Sequence, residues 1–337
     1  MRKREGYLDI LRCLAIAMVL LNHCVSRYIR TPAYYGTRTF VPLLMLNALS
    51  NIGVPLFLMI SGRLMLESDS SRDIAGFYKK RLPRILLALI VWNVVYYVGP
   101  GLLRGRALSA GGFFEELINA GSAYHLWFLY LIAGIYLLTP FLKRIVDSCT
   151  GRQCWLLLLL MLLCPTIRPF LNQTFGIYIN LFEPLFNGYI GYFLLGYLLG
   201  RTELRRWMGP AALAAFAAGF LLAVTQNYRA SSPDGVQTVY NYGASITQYL
   251  MASAVFVSAR LEIGGNGRLA RAAEHGSRLT FGVYVLHVIV LELLWERGSP
   301  DTTPLLLIAY LFFVTLVVSF LLSWLLNRIP VVKKVVS

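Results

Sequence analysis

The sequence predicts an all-α integral membrane protein with about ten transmembrane helices and with both termini in the cytoplasm. Three observations lead to this prediction: a high content of hydrophobic residues, their arrangement in long blocks, and an uneven distribution of Lys and Arg between successive loops. Of the 337 residues, 57% are hydrophobic and 14% are charged, whereas about 25% are charged in an average soluble domain. This composition excludes a soluble globular enzyme, a disordered chain and a coiled coil.

Ten hydrophobic segments follow one another along the chain, and each is an expected transmembrane helix. About 20 apolar residues span a bilayer, and backbone groups in lipid must be paired within the segment, which favours helices. The strands of a membrane barrel would alternate apolar and polar residues, and these blocks do not. The segments lie at 8–29, 41–66, 81–99, 124–145, 153–170, 186–200, 208–226, 240–259, 278–297 and 304–328. The loops between them are too short for a second domain, so residues 1–337 are expected to form a single transmembrane domain.

Positively charged residues are concentrated in alternate loops. If the N-terminus is cytoplasmic, the inner loops hold 21 of the 31 Lys and Arg residues and the outer loops hold 8. Because positive charge favours the cytoplasmic side, this bias predicts that both termini are cytoplasmic. It also accounts for most of the net charge of +15. We therefore expect contacts with membrane lipids and none with nucleic acid.

The first segment contains two residues, Arg12 and His23, that are costly in a membrane and are therefore functional candidates. Their spacing of eleven positions, at about 100° per residue, places them on one face of a helix, about 16 Å apart along its axis. On a functional interpretation, Arg12 binds an anion near the cytoplasmic end and His23 transfers a proton in the outer half, since imidazole titrates near neutral pH. On the alternative interpretation, Arg12 extends to the inner interface, helped by Asp9, and His23 is a packing residue.

The third segment opens with two arginines, Arg81 and Arg84. They lie three residues apart and so share a face of the predicted helix. Guanidinium groups pair with phosphate in a bidentate way, so both are candidate ligands of a phosphorylated molecule at the cytoplasmic edge. The neighbouring Lys79 and Lys80 are interpreted as orientation signals that contact lipid headgroups.

Further candidate residues lie in the second and ninth segments. In the second, Pro55 and the Ser61-Gly62 pair are expected to bend the helix or to make it thinner, and bent helices often line cavities. In the ninth, Tyr284 and His287 lie three residues apart near the middle of the predicted span, where an imidazole is costly. The five cysteines show no CxxC or Cys/His spacing, so no metal site is expected.

Together these motifs resemble the acyltransferase 3 family of membrane O-acyltransferases. The resemblance is carried by Arg12 with His23, by Gly53-Val54-Pro55-Leu56-Phe57 with Ser61-Gly62, by Arg81 with Arg84, and by Tyr284-Val285-Leu286-His287. These motifs extend in order from the first predicted helix to the ninth, so the resemblance covers essentially the whole chain. The pattern differs at Arg63, where relatives usually carry an aromatic residue after Ser-Gly.

A narrower likeness is visible in three further motifs, which are similar to those of the O-acetyltransferases of the enterobacterial common antigen. They are Tyr124-His125-Leu126-Trp127-Phe128, Tyr136-Leu137-Leu138-Thr139-Pro140 and Ile177-Tyr178-Ile179-Asn180. The residues themselves predict that His125 begins the fourth helix at the outer face. Trp127 there fits the belt of aromatic residues that is expected at a membrane interface.

The resemblance implies a bacterial inner-membrane O-acetyltransferase. Such an enzyme moves an acetyl group from cytoplasmic acetyl-CoA to a hydroxyl of a cell-envelope glycan or lipid-linked sugar, with His23 as the general base. The phosphates of acetyl-CoA would be held by Arg12, Arg81 and Arg84. The candidates for stabilising the oxyanion are Ser61, Tyr284 and His287. A covalent acetyl-His23 intermediate is the open alternative for the mechanism.

Two other classes of protein compete with this interpretation. One is a non-enzymatic carrier of a lipid-linked sugar or glycan precursor, with Arg12 and His23 lining its pathway. The other is a sensory or scaffolding membrane protein. The sequence shows no convincing internal repeat, which argues against a transporter built from duplicated halves. Transfer of a labelled acetyl group to a glycan would distinguish the enzyme from both.

Overall fold

The computed structural model describes residues 5–103, 105, 107–119, 121–175, 188–238, 245–262, 268–295 and 303–337, with the backbone alone at 163–170, 172–175, 268 and 269. Within these ranges the chain forms helices joined by loops and contains no β-strand. The helices are α1 (Gly6–Ile29), α2 (Phe40–Ser50), α3 (Gly53–Met65), α4 (Ile74–Leu103), α5 (Ala110–Ile118), α6 (Trp127–Ser148), α7 (Gly151–Phe175), α8 (Gly188–Arg201), α9 (Met208–Ala230), α10 (Ile246–Glu262), α11 (Arg268–Ser277), α12 (Thr280–Trp295), α13 (Pro304–Leu326) and α14 (Pro330–Val336).

Six helical stretches within the described ranges are long and apolar enough to cross a membrane. They are Gly6–Ile29, Phe40–Met65, Ile74–Leu103, Tyr124–Ser148, Met208–Ala230 and Pro304–Leu326. Helices α11 and α12, bent by 62° at their junction, form a seventh if the pair is one span. The other predicted segments are helical as α7, α8 and α10, but α8 and α10 have only 14 and 17 residues. The chain is thus a multi-pass membrane protein, while ten spans and cytoplasmic termini stay predictions.

Helix α13 shows how the bundle is suited to lipid. Its inward face carries Thr315, Ser319 and Ser323, all fully buried. Its outward face carries large apolar side chains such as Phe313 and Val317, which are 61% and 64% exposed. An exposed apolar surface of this kind is unfavourable in water and favourable against acyl chains. The polarity of α13 is therefore the reverse of that of a surface helix in a soluble protein.

Helix α1 lies at the centre of the bundle. It contacts α2, α3, α10, α11, α12 and α13, and its residues Leu11, Ala15, Ile16 and Leu20 are buried in the main hydrophobic core. A helix surrounded in this way presents its polar residues to the interior of the protein. Arg12 and His23 both lie on this central helix.

The second predicted segment is broken at a different place from the one expected. Its two helices, α2 and α3, are separated at Asn51–Ile52, and α3 is continuous through Pro55 and Gly62. The helix does not break at these residues, because Pro55 lies in the first turn of α3, where proline is tolerated. Gly62 serves a close helix contact instead: a Cβ atom there would lie 1.7 Å from the backbone oxygen of Phe193 in α8.

The third predicted segment begins earlier than expected. Helix α4 starts at Ile74, about two turns before Arg81, so the expectation that Arg81 and Arg84 open the helix is wrong. The physical reason is a cap: the carboxylate of Asp73 accepts a hydrogen bond from the backbone nitrogen of Gly76 at 3.0 Å, which satisfies a free donor of the first turn. The two arginines are therefore carried within a continuous helix.

Candidate active site

A large cavity lies at the end of the bundle where α1 begins and α14 packs. Its volume is about 810 Å³, within the range of about 300–1,000 Å³ that is usual for ligand pockets. It is lined by five permanently charged side chains and one histidine: Arg12, Arg81, Arg84, Arg278, Lys333 and His275. No Asp or Glu of the described residues lines it. We call it the basic cavity, and its charge suits an anionic ligand.

Asp9, outside the basic cavity, orients Arg12. The Asp9 side chain is only 1% exposed; its Oδ1 accepts hydrogen bonds from Nη1 of Arg12 at 2.9 Å and from the Ser277 hydroxyl at 2.7 Å. The Arg12 side chain, held in this way, also lines the basic cavity. Both interpretations of Arg12 from the sequence therefore apply in part. Asp9 is a hydrogen-bond partner of Arg12, and the Arg12 side chain lines the basic cavity.

The other cations of the basic cavity differ in their partners. Arg81 forms no hydrogen bond or ion pair with any residue that the structure describes. Arg84 donates a hydrogen bond to the backbone oxygen of Ser337, and Arg278 pairs with Glu274 at 2.5 Å. Helix α14 is held at the mouth of the cavity by Arg84 and by Trp92, whose indole N–H donates to the backbone of α14 at 2.8 Å.

A second, smaller cavity of about 90 Å³ lies next to the basic cavity. It is lined by His23 and His125 among others, and we call it the histidine cavity. Phe128 and Tyr284 line both cavities, so these two side chains separate them. The histidine cavity has no Lys, Arg, Asp or Glu among the described residues of its lining.

Three histidines from three parts of the chain contact one another, and two of them, His23 and His125, line the histidine cavity. The ring of His287 from α12 stacks on His23 from α1, with centroids 5.1 Å apart and an angle of 24° between the planes. The ring of His125 meets His287 edge-on at 5.2 Å. The ring of Tyr124 meets His23 edge-on, with centroids 5.0 Å apart. His23 is half-buried, whereas His125 and His287 are almost fully buried.

Hydrogen bonds fix the roles of two groups in this cluster. The Tyr284 hydroxyl donates to the backbone oxygen of His125 at 2.6 Å. Nδ1 of His287 lies 2.6 Å from the backbone oxygen of Tyr284. Because a carbonyl oxygen only accepts, Nδ1 carries the hydrogen, and Nε2 of the neutral ring is an acceptor. Neither that Nε2 atom nor either ring nitrogen of His125 has a hydrogen-bond partner in the described part of the chain.

Two other charged groups near the site have structural partners. Arg27 forms an ion pair with Glu292, and its guanidinium lies 4.6 Å from the centre of the Trp295 ring. Arg63, where the sequence departs from the family pattern, bridges Glu5 at 2.9 Å and Glu67 at 3.0 Å. Arg63 therefore joins α3 to the residue that precedes α1.

The structure brings together most of the residues predicted from the sequence. The basic cavity is lined by Arg12, Arg81, Arg84, Ser61 and Tyr284. Tyr284 also lines the histidine cavity with His23, whereas Ser61 does not. His287 lies against His23 and lines neither cavity. The motif at 177–180 falls outside the described residues.

Sequence reasoning did not identify His125 as a site residue. The sequence predicts it at the outer face, but its side chain is 1% exposed and it occupies a single 3-10 turn, Tyr124–Leu126, before α6. Its contacts come from residues far along the chain, such as Tyr284. The available signal was a histidine beside an apolar run, which also fits an interfacial residue.

The comparisons with known proteins give one match. A family model described as an acyltransferase domain matches residues 5–324. No curated protein and no solved structure matches the chain. The matched range includes all of the histidine cavity and every cation of the basic cavity except Lys333.

Proposed function

The chain belongs to the acyltransferase family whose model it matches over residues 5–324, and on this premise we propose that it is an acetyl-CoA-dependent O-acetyltransferase of the bacterial inner membrane. The proposed acceptor is a hydroxyl of a cell-envelope glycan or lipid-linked sugar. The observation that carries the proposal is the pair of adjacent cavities. One is lined by five permanent cations and by no Asp or Glu of the described residues, and the other is lined by His23.

The basic cavity supports an anionic acyl donor. Coenzyme A carries a diphosphate and a separate phosphate, and arginine pairs with phosphate oxygens in a bidentate way. In the proposal Arg12, Arg81 and Arg84 bind these groups. Because the described lining carries five permanent cations and no Asp or Glu side chain, the potential in the cavity favours a polyanion over a neutral molecule.

The adjacent cavity supports the chemical step. With the phosphates held in the basic cavity, the acetyl thioester extends past Phe128 and Tyr284 toward His23. His23 accepts the proton of the acceptor hydroxyl as its oxygen attacks the thioester carbon. The carbon–sulfur bond then breaks, and the thiolate of coenzyme A takes the proton from His23. The transfer is balanced and leaves the enzyme unchanged.

The position of His23 supports an acceptor that approaches from the other end of the bundle. His23 lies about 16 Å along α1 from Arg12, and its cavity is separated from the basic cavity by two aromatic side chains. Donor and acceptor would then meet inside the membrane from opposite sides. The likeness of 124–128 and 136–140 to enterobacterial common antigen O-acetyltransferases makes that glycan the first acceptor to examine.

Mass spectrometry of cell-envelope glycans tests the proposed function. Cells that produce the protein should carry an acetyl increment on one glycan, and cells without it should not. His23→Ala should abolish the increment at equal protein level, while Lys80→Ala, an exposed cation outside both cavities, should preserve it. The absence of any acetyl difference, or a full increment with His23→Ala, would overturn the proposal. Glycan translocation without acetylation would favour the carrier.

Labelling of the protein distinguishes direct transfer from a covalent intermediate. Purified protein is mixed with labelled acetyl-CoA without acceptor and is quenched rapidly. Label retained on the wild-type chain and lost with His23→Ala would show an acetyl-His23 intermediate. Equal background label on both would support direct transfer.

A further inference from the structure

We propose that His125 is a catalytic residue of this transfer reaction, whose ring N–H donates a hydrogen bond to the carbonyl oxygen of the acyl group as that oxygen becomes negatively charged. The inference rests on the proposed function and adds a residue that neither the family match nor the sequence motifs assign to the chemistry. It follows from the hydrogen bonds of the three candidates named from the sequence and from the ring nitrogens of His125, which have no partner in the described part of the chain.

Acyl transfer needs a donor at the developing oxyanion, and the three candidates from the sequence do not supply one. Attack on the thioester places negative charge on its carbonyl oxygen, which must be stabilised by hydrogen bonds. The Tyr284 hydroxyl already donates to the backbone oxygen of His125 at 2.6 Å. Nε2 of neutral His287 is an acceptor, since Nδ1 carries the hydrogen. Ser61 lines the basic cavity and not the histidine cavity.

His125 has a donor that Ser61, Tyr284 and His287 do not offer beside His23. Its side chain is 1% exposed, lines the same cavity as His23, and has no partner for either ring nitrogen within the described residues. A neutral imidazole always keeps one N–H. A buried donor without a partner is rare in folded proteins and calls for an explanation such as a functional role. A substrate oxygen in the cavity would supply the missing partner.

The surroundings of His125 hold it in one place. Its backbone oxygen is fixed by the Tyr284 hydroxyl. The rings of Tyr96, His287 and Tyr284 contact it at centroid distances of 4.8, 5.2 and 5.6 Å. A donor fixed before the reaction stabilises the transition state without a cost of reorientation, and its effect is larger in a site with little water. Tyr284 is therefore a positioning residue for His125.

A hydrogen bond from His125 is compatible with the movement of electrons and protons during acetyl transfer. As the acceptor oxygen bonds to the carbonyl carbon, its proton passes to His23 and the carbonyl π electrons move to oxygen. The His125 N–H donates to that oxygen throughout and keeps its proton. When the carbonyl re-forms, the carbon–sulfur bond breaks and the thiolate takes the proton held by His23.

Two substitutions at His125 test whether its ring donates a hydrogen bond or serves only for packing. His125→Leu removes the N–H, and His125→Gln keeps an N–H on a side chain of moderate size. The assay follows transfer from radiolabelled acetyl-CoA to endogenous glycans in membrane vesicles. We expect His125→Leu to lower kcat about 100- to 1,000-fold while the KM for acetyl-CoA stays unchanged. His125→Gln should retain clearly more activity than His125→Leu.

The outcomes distinguish this inference from the proposed function. If wild-type vesicles transfer no acetyl group, the proposed function fails, and the role of His125 fails with it. If the wild type is active and His125→Leu is equally active, only the role of His125 is refuted. Should His125→Leu not fold, His125→Gln decides. Activity near that of the wild type supports a donor, whereas a folded His125→Gln variant without activity shows that the ring acts otherwise.

Discussion

Replacing Arg81 with alanine removes one of the five permanent positive charges of the basic cavity and is expected to weaken donor binding without unfolding the protein. Arg81 is exposed, lines the cavity and has no partner among the described residues. Its removal therefore leaves no buried carboxylate without a partner. Arg84 is a less direct choice, because its loss would also release the contact with Ser337.

The expected size of the effect follows from the contact that is lost. A hydrogen bond to a charged group contributes about 1.5–3 kcal/mol, and the exposure of Arg81 places it at the lower end of that range. Since about 1.4 kcal/mol corresponds to a factor of ten, the KM for acetyl-CoA should rise about tenfold. The side chain is remote from His23, so kcat should change little.

Kinetics in membrane vesicles, with acetyl-CoA varied at saturating acceptor, measures this effect. Lys80→Ala is the matched control, because Lys80 is an exposed cation on the same helix but lines neither cavity. Arg81→Lys should give an intermediate KM, since an ammonium keeps the charge but loses the bidentate geometry. Raising the ionic strength should weaken donor binding in the wild type more than in Arg81→Ala.

Three results would refute the assignment of the basic cavity to the donor. One is an unchanged donor KM in both Arg81→Ala and Arg84→Ala. Another is an equal rise in Lys80→Ala, which would show a general effect of surface charge. The third is a fall in kcat at constant KM, which would place Arg81 in the chemical step instead of in binding.

Two predictions concern the scaffold. Gly62→Ala should destabilise the protein by about 1–3 kcal/mol or more, because the new Cβ would lie 1.7 Å from the backbone oxygen of Phe193. The control is Gly134→Ala, because a Cβ at Gly134 meets no atom within 4 Å. Equal melting temperatures of the two variants would contradict the close contact of α3 and α8. Arg63→Met should cost about 1–3 kcal/mol by removing the ion pair with Glu5, and Glu5→Gln should lower the melting temperature of the wild type more than that of Arg63→Met. Independent effects of these two changes would show that the ion pair does not stabilise the fold.

The features that could be predicted from the sequence are those that depend on a single helix and not on its contacts with other helices. Apolar blocks locate the helices, because each must bury its backbone hydrogen bonds and match the bilayer by itself. Helical periodicity places Arg12 and His23 on one face, and both line cavities in the structure. Arg81 and Arg84 likewise reach the same cavity from one helix.

The features that sequence reasoning missed depend on contacts between distant segments or on local caps. His125 is packed against residues far along the chain, such as Tyr284, 159 positions later, and no periodicity reports such a contact. The close approach at Gly62 depends on α8, and a glycine in a helix is equally consistent with a bend. The start of α4 at Ile74 depends on the cap from Asp73, which lies before the apolar block that marked the segment.

The separation into two cavities explains how one protein can bind a polyanion and stabilise a new negative charge. At an effective dielectric constant of about 20, a charge about 16 Å away, as Arg12 is from His23, contributes about 1 kcal/mol. Asp9, bonded to Arg12 at 2.9 Å, opposes part of that. The cations are thus positioned to bind phosphate and contribute little to the transition state. Stabilisation of the oxyanion must then come from short-range donors in the uncharged histidine cavity, where His125 has an unpaired N–H.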